Sequence, residues 1–213
     1  SNGRFDPSKV EGWILSPNPA LAYLPPASEG DVFFDMEGFP YFEERGGLEY
    51  LFGNLTNDGE FIPFWAHTRE REKAAFCEFI DWVYERMQKV PDAHIYHYAA
   101  YEVTALNRLS HRHGVREAEV AWLLDQGKLI DLYAVVRNSL TVGAVSYSIK
   151  KLEPFYEFER KADVKNASSS IDEYDRWREL RNVAGDEAVP ADTREAATIE
   201  SEALFKALGD YNR

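Results

Sequence analysis

Val32-Phe33-Phe34-Asp35-Met36-Glu37 is an apolar run that ends in two acids, and its reading decides the fold. A strand turns alternate side chains to opposite faces, so Asp35 and Glu37 project together, on the face that Phe33 also occupies. Two carboxylates at the mouth of a strand that otherwise reads as buried are costly unless something positive meets them. A divalent cation is the simplest partner, and acidic pairs holding Mg²⁺ or Mn²⁺ are a standard means of hydrolysing phosphodiesters. The alternative is ordinary: the strand ends at Asp35, both acids lie in solvent, and Gly38-Phe39-Pro40 makes the turn.

Working outward, the 213 residues suffice for one substantial α/β domain, with or without a small appendage. A content of 45% hydrophobic and 14% aromatic residues is that of a packed protein. The net charge of −13 argues against a protein held on nucleic acid by a broad basic surface. It leaves a nuclease open, because metal-binding carboxylates are themselves negative; tight binding would then need a local basic groove or another domain. The single cysteine, Cys77, excludes a disulfide framework and an internal four-cysteine metal site. With no apolar run approaching membrane length and no leader pattern, the expectation is a cytoplasmic protein with no membrane partner.

Residues 3–30 carry five prolines and no sustained period, so residues 1–30 read as a lead-in or linker and 31–213 as the domain. Strands are expected at about 31–37, 48–55 and 60–66, the last two joined by Asn57-Asp58-Gly59, a hairpin signal. Thr68 is placed to cap a helix over 69–89 whose inner stripe is Phe76, Ile80, Val83 and Met87. A short strand at 94–98, a helix at 100–113, a strand near 129–132 and helical segments at 133–139 and 146–154 follow. Residues 156–170 read as a loop, and helices at 171–182 and 191–209 complete the chain. The order β-β-β-α-β-α-β-α predicts an α/β fold: a mixed sheet with an antiparallel hairpin, flanked by helices, compatible with a ribonuclease H-like fold.

Other residues carry chemistry less sharply. Glu102 heads a helical stripe with Leu106, Leu109 and His113, which would draw its carboxylate toward the core; acids also favour first turns for the helix dipole alone. Asp131 lies inside Leu129-Ile130-Asp131-Leu132, either as a structural hydrogen-bonding group or as an outer-shell carboxylate. His97 flanks the presumed site, though a histidine at a strand end commonly packs. Lys150 and Lys151 sit on the aromatic and apolar Tyr147–Lys151 stretch, where they would meet a substrate phosphate or simply face solvent.

Four stretches in order, Phe33–Gly38, His94–Glu102, Asp131–Tyr133 and Tyr147–Glu153, resemble the ribonuclease H-like exonuclease domain of the DEDD group. The likeness is closer to the version in bacterial proteins labelled RecB-family putative nucleases, where it lies upstream of a superfamily 1 helicase. It covers about residues 31–213. Asp35-Met36-Glu37 matches the first motif, and Tyr96, Tyr101 and Glu102 fall in the second. The resemblance implies a two-metal Mg²⁺ or Mn²⁺ site held by Asp35, Glu37 and Glu102, with Tyr211 positioning the nucleophile. It further implies DNA as substrate (RNA is open), 3′→5′ polarity on single strands, a role in DNA repair and a fused or associated helicase. Two departures stand. The third motif, Tyr-Asn-x-x-Asp, is cut at Tyr211-Asn212-Arg213, so the fourth carboxylate is absent from this sequence. Glu102 replaces the usual aspartate. The Pro-Asp … Glu-x-Lys chemistry of true RecB-type nucleases is not assigned, because Pro91-Asp92 has no Glu-x-Lys partner.

Two other classes compete: a catalytically weak nucleic-acid-binding or scaffold domain, and a hydrolase of small phosphoesters.

Overall fold

The structure is a computed structural model and describes residues 12–42, 46–157 and 167–212. Its centre is a five-stranded mixed sheet in the order β4-β3-β2-β5-β6. The strands are β2 (Val32–Phe39), β3 (Leu48–Thr56), β4 (Phe61–Trp65), β5 (Ile95–His97) and β6 (Leu129–Asp131). The first three form an antiparallel meander, and β5 and β6 add in parallel on the other side of β2. A two-stranded ribbon, β1 (Trp13–Leu15) with β7 (Leu140–Val142), stands apart. The helices are α1 (Arg69–Lys89), α2 (Tyr101–His113), α3 (Glu117–Asp125), α4 (Leu132–Arg137), α5 (Ile149–Leu152), α6 (Ala167–Gly185) and α7 (Ala191–Tyr211). This mixed α/β architecture, with its hairpin and flanking helices, is the one expected from the sequence.

Local chemistry accounts for the elements. The β3–β4 turn closes through Gly59 N–H to Thr56 O at 2.9 Å, and Gly59 supplies the positive φ of 83° that a side chain would disfavour. Thr68 Oγ1 caps α1 by accepting from Arg71 N at 3.2 Å. The expected stripe Phe76, Ile80, Val83 and Met87 is fully buried. It packs on Val32, Phe34 and Met36, the inward set of β2, and Phe34 stacks on Phe79 at 4.4 Å. A second core lies under α6 and α7, where Phe39, Leu48, Tyr50 and Leu51 meet Tyr174, Trp177 and Leu208. The sheet is therefore covered by two different helical layers, and the acids of β2 point to the α6–α7 side.

Several elements depart from expectation. Strand β2, expected over about 31–37, runs on to Phe39, and the alternative in which it stops at Asp35 is not realised. The serine run 168–170, read as the end of a loop, belongs to α6, which begins at Ala167. Serines favour non-helical backbone by bonding locally, and here the packing of Tyr174 and Trp177 overrides that preference. The remainder of the expected loop, 158–166, lies outside the described residues. Helix α3 escaped notice because it is short and buries only Val120 and Leu123. The segment 146–154 condenses to the single turn α5 followed by a 3-10 turn at Glu153–Tyr156. The stretch read as a lead-in supplies β1, and residues 1–11 lie outside the described set. Among the described residues no helix is long and apolar enough to cross a membrane.

Phe79 makes ring contacts with Phe34, Phe52 and Phe64 and is fully buried. Phe79→Ala is expected to lower stability by about 3–5 kcal/mol, read from urea unfolding.

Candidate active site

The acids of β2 are placed by a break in its ladder. Glu37 faces Leu51 and Gly38 faces Glu49, so Tyr50 is the extra residue of a bulge in β3. Tyr50 stacks on Tyr174 at 3.7 Å, and its hydroxyl reaches Glu37 Oε2 at 3.4 Å. Ser170 Oγ donates to the same oxygen, also at 3.4 Å. Burial pushes the Glu37 carboxyl up to about 7, and the neighbouring charge of Asp35 adds to the rise. Both hydrogen bonds and the ammonium of Lys150 pull it back without cancelling the effect. Asp35 itself is exposed, and its Oδ1 accepts from Met36 N at 3.0 Å.

Lys150, in α5, carries its charge close enough to Glu37 to act on it. Its Nζ is buried, has no hydrogen-bond acceptor among the described residues, and lies 5.7 Å from the centroid of the Tyr211 ring. Tyr211 is half-buried at the end of α7, on the stripe with Ala197 and Leu208. Lys151, one residue along, is exposed.

Glu102 sits in the first turn of α2 at 4% exposure. Its Oε2 is buried without a hydrogen bond, 3.4 Å from His97 Nδ1. That nitrogen lies 2.8 Å from Ala99 O; a carbonyl only accepts, so Nδ1 bears the proton and donates it there. Ala99 has a φ of 75°, in the left-handed region. Its N–H donates to Asp131 Oδ1 at 2.8 Å, and the same oxygen caps α4 through Tyr133 N at 2.9 Å. His97 and Asp131 thus clamp, from both ends of Ala99, the turn that feeds α2 and Glu102. Asp131 holds backbone N–H groups on both Ala99 and Tyr133, and the Nδ1 of His97 is likewise taken up by backbone.

A cleft of about 370 Å³ runs beside Asp35, lined by Phe33, Tyr96, Tyr98, Leu132 and Ile149. Phe33 is 44% exposed and stacks on Tyr96 at 5.5 Å. A larger polar hollow of about 590 Å³, at the β3–β4 turn against Arg86, holds none of these groups.

Asp35 and Glu37 fit a Mg²⁺ or Mn²⁺ ion by donor chemistry. Both offer hard oxygens, and a cation would offset the burial and the Asp35 charge that together raise Glu37. Among the described residues no three His, Cys, Asp or Glu side chains gather as a donor set. Two carboxylates with water and substrate phosphate is nonetheless a common way of holding Mg²⁺.

The sequence missed Tyr50 and Ser170. The only signal for either was indirect: a glycine after Glu37, where a strand bulge falls.

Among known families, the profile of the RNase H superfamily matches residues 32–189. The matched span contains Asp35, Glu37, Glu102, Asp131 and Lys150 and excludes Tyr211. No curated protein and no solved structure matches the chain.

The raised carboxyl has a cost in stability. The folded pKa of Glu37 is about 7 against an ordinary 4.5, so the folded state binds the extra proton between those values. Stability is complete below pH 4.5 and falls as pH rises through 7, by at most about 3 kcal/mol. In EDTA at pH 8, Glu37→Gln is expected to melt higher than the natural protein, with the gap closing toward pH 4.5.

Proposed function

This chain belongs to the RNase H superfamily, and on that premise we propose that it is a metal-dependent nuclease cutting the phosphodiesters of single-stranded DNA from the 3′ end. The observation that carries the reading is the Asp35–Glu37 pair: two carboxylates held on one face of the central strand, one of them raised to about 7 by burial and by the other. Holding two like charges together costs stability, and binding a cation gives the cost a use.

Asp35 and Glu37 would hold the ion, and Glu102 would complete the ligand shell directly or through water. A bound Mg²⁺ or Mn²⁺ supplies Lewis acidity toward the phosphate oxygens. Tyr211 would orient the attacking water. Lys150, desolvated between Glu37 and the Tyr211 ring, would meet a phosphate oxygen once substrate enters, and exposed Lys151 would reach a neighbouring phosphate. The open cleft beside Asp35, about 370 Å³, would receive the end of an unpaired strand. By its likeness to helicase-linked nucleases, the domain would act with a helicase that supplies such strands.

A second reading, nucleic-acid binding without catalysis, draws on one observation. No three potential ligands gather among the described residues, and Glu102 is turned to His97.

Digestion of a 5′-labelled single-stranded oligonucleotide in Mn²⁺ separates the two. The expected result is a ladder shrinking from the 3′ end, lost in Asp35→Ala by more than the ~100-fold that even an outer-shell partner is worth. Metal-independent cutting by a folded Asp35→Ala protein would sink the nuclease assignment. A metal-binding protein that cuts nothing would favour the second reading.

A further inference from the structure

The net charge of −13 leaves open where a polyanion could approach this protein. One place stands out, at the end of the sheet where β2 passes from Glu37 to Gly38. A second cleft of about 370 Å³ opens there, lined by Gly38, Gly47, Glu49, Tyr101, Arg108 and Ile171. It adjoins the acids on two sides: Gly38 follows Glu37, and Ile171 follows the Ser170 that donates to Glu37. A Cβ at position 38 would lie 2.6 Å from Glu49 Oε2 and 2.9 Å from the Tyr101 hydroxyl, so a larger residue there would push this bonded pair aside.

Three arginines border that cleft: Arg108 lines it, and Arg112 and Arg69 bond the carbonyl of Gly47, which lines it too. Arg108 pairs with Glu49 while its side chain stays 44% exposed. Arg112, one turn further along α2 and 25% exposed, reaches Glu72 Oε2 at 3.4 Å and Gly47 O at 3.2 Å. Arg69, 23% exposed, bonds Glu72 at 2.8 Å and the carbonyls of Gly46 and Gly47. The carboxylates beneath are buried, Glu49 at 3% and Glu72 at 0%, and each has further partners. Glu49 accepts from the Tyr101 hydroxyl, while Glu72 accepts from Glu49 N and lies 2.8 Å from His113 Nε2. Three guanidinium groups outside and two carboxylates inside leave a pre-oriented rim that is basic by about one charge, with its exposed face formed by the arginines. An arginine has five N–H donors, and the carboxylate of Glu49 leaves most of those on Arg108 for solvent or a ligand.

We propose that Arg108 and Arg112, with Arg69 behind them, form the phosphate-binding track along which a single-stranded DNA backbone leaves the Asp35–Glu37 site. The proposal rests on the nuclease reading for the location of the reacting phosphate, but the binding it describes needs no metal and no cleavage. Charge complementarity supports the ligand: arginines one helical turn apart offer successive donors to a phosphate backbone, on a protein whose net charge of −13 otherwise disfavours polyanions.

The test is fluorescence anisotropy of labelled oligo-dT in EDTA across a salt series. Arg108→Gln and Arg112→Gln are each expected to weaken binding about fivefold and to lower the salt slope by about 0.7, the share of one single-strand phosphate contact. Arg108→Lys, which keeps a cation over Glu49, should retain the natural slope and covers the case in which Arg108→Gln does not fold. Lys89→Gln, the same charge change at the far end of α1, about 30 Å from Arg69, should bind as the natural protein does. The track is overturned if both glutamine variants keep the natural slope, if Lys89→Gln loses as much, or if the natural protein fails to bind at low salt. Cutting that survives unchanged binding in the arginine variants would refute the track and leave the nuclease. Arginine-dependent binding without cutting would do the reverse.

Discussion

Everything at the site depends on the register of β2. The strand is sandwiched between two helical layers, and its alternate residues serve them separately: Val32, Phe34 and Met36 fill the α1 core, while Phe33, Asp35 and Glu37 face the other side. A slip of one residue would drive both carboxylates into the core and turn Phe34 and Met36 outward. That exchange is prohibitive, because it would desolvate two charges in place of two apolar side chains. Hydrophobic patterning thus fixes where the acids point, and the antiparallel pairing to β3 on one side and parallel pairing to β5 on the other fix their position along the sheet.

The bulge at Glu37 then gives the two acids different surroundings. Asp35 lies where β2 pairs regularly and stays in solvent, whereas Glu37 lies where the ladder shifts and Tyr50, Ser170 and Tyr174 close in. Two chemically similar groups, separated by one residue, therefore stand in different surroundings, and burial raises the carboxyl of Glu37. The distinction comes from the backbone irregularity and from the aromatic stack that fills it, not from the acids themselves.

Much of this was legible in the residues. The α1 stripe, the turn at Asn57-Asp58-Gly59 and the face shared by Asp35 and Glu37 follow from periodicity, and the five-stranded sheet follows from their order. What escaped was set by tertiary contact. The serines opening α6 carry a local preference for loop, overcome only by Tyr174 and Trp177 reaching the sheet. The inward turn of Glu102 was readable as a helical stripe, but not its pairing with His97, which depends on a left-handed alanine held by Asp131 from the neighbouring strand. The arginines of the rim are scattered over α1 and α2 and meet only because Glu49 and Glu72 collect them.

The ribbon of β1 and β7 joins Trp13–Leu15 to Leu140–Val142, far apart in sequence, with three backbone pairings in register. Anyone dissecting this protein by its sequence would cut near residue 31, where the first strand of the main sheet begins. That cut would strip β7 of its neighbour and leave a bare strand edge, open to pairing with another molecule. Poor solubility of such a fragment would then reflect where it was trimmed, not a failure of the main sheet to fold.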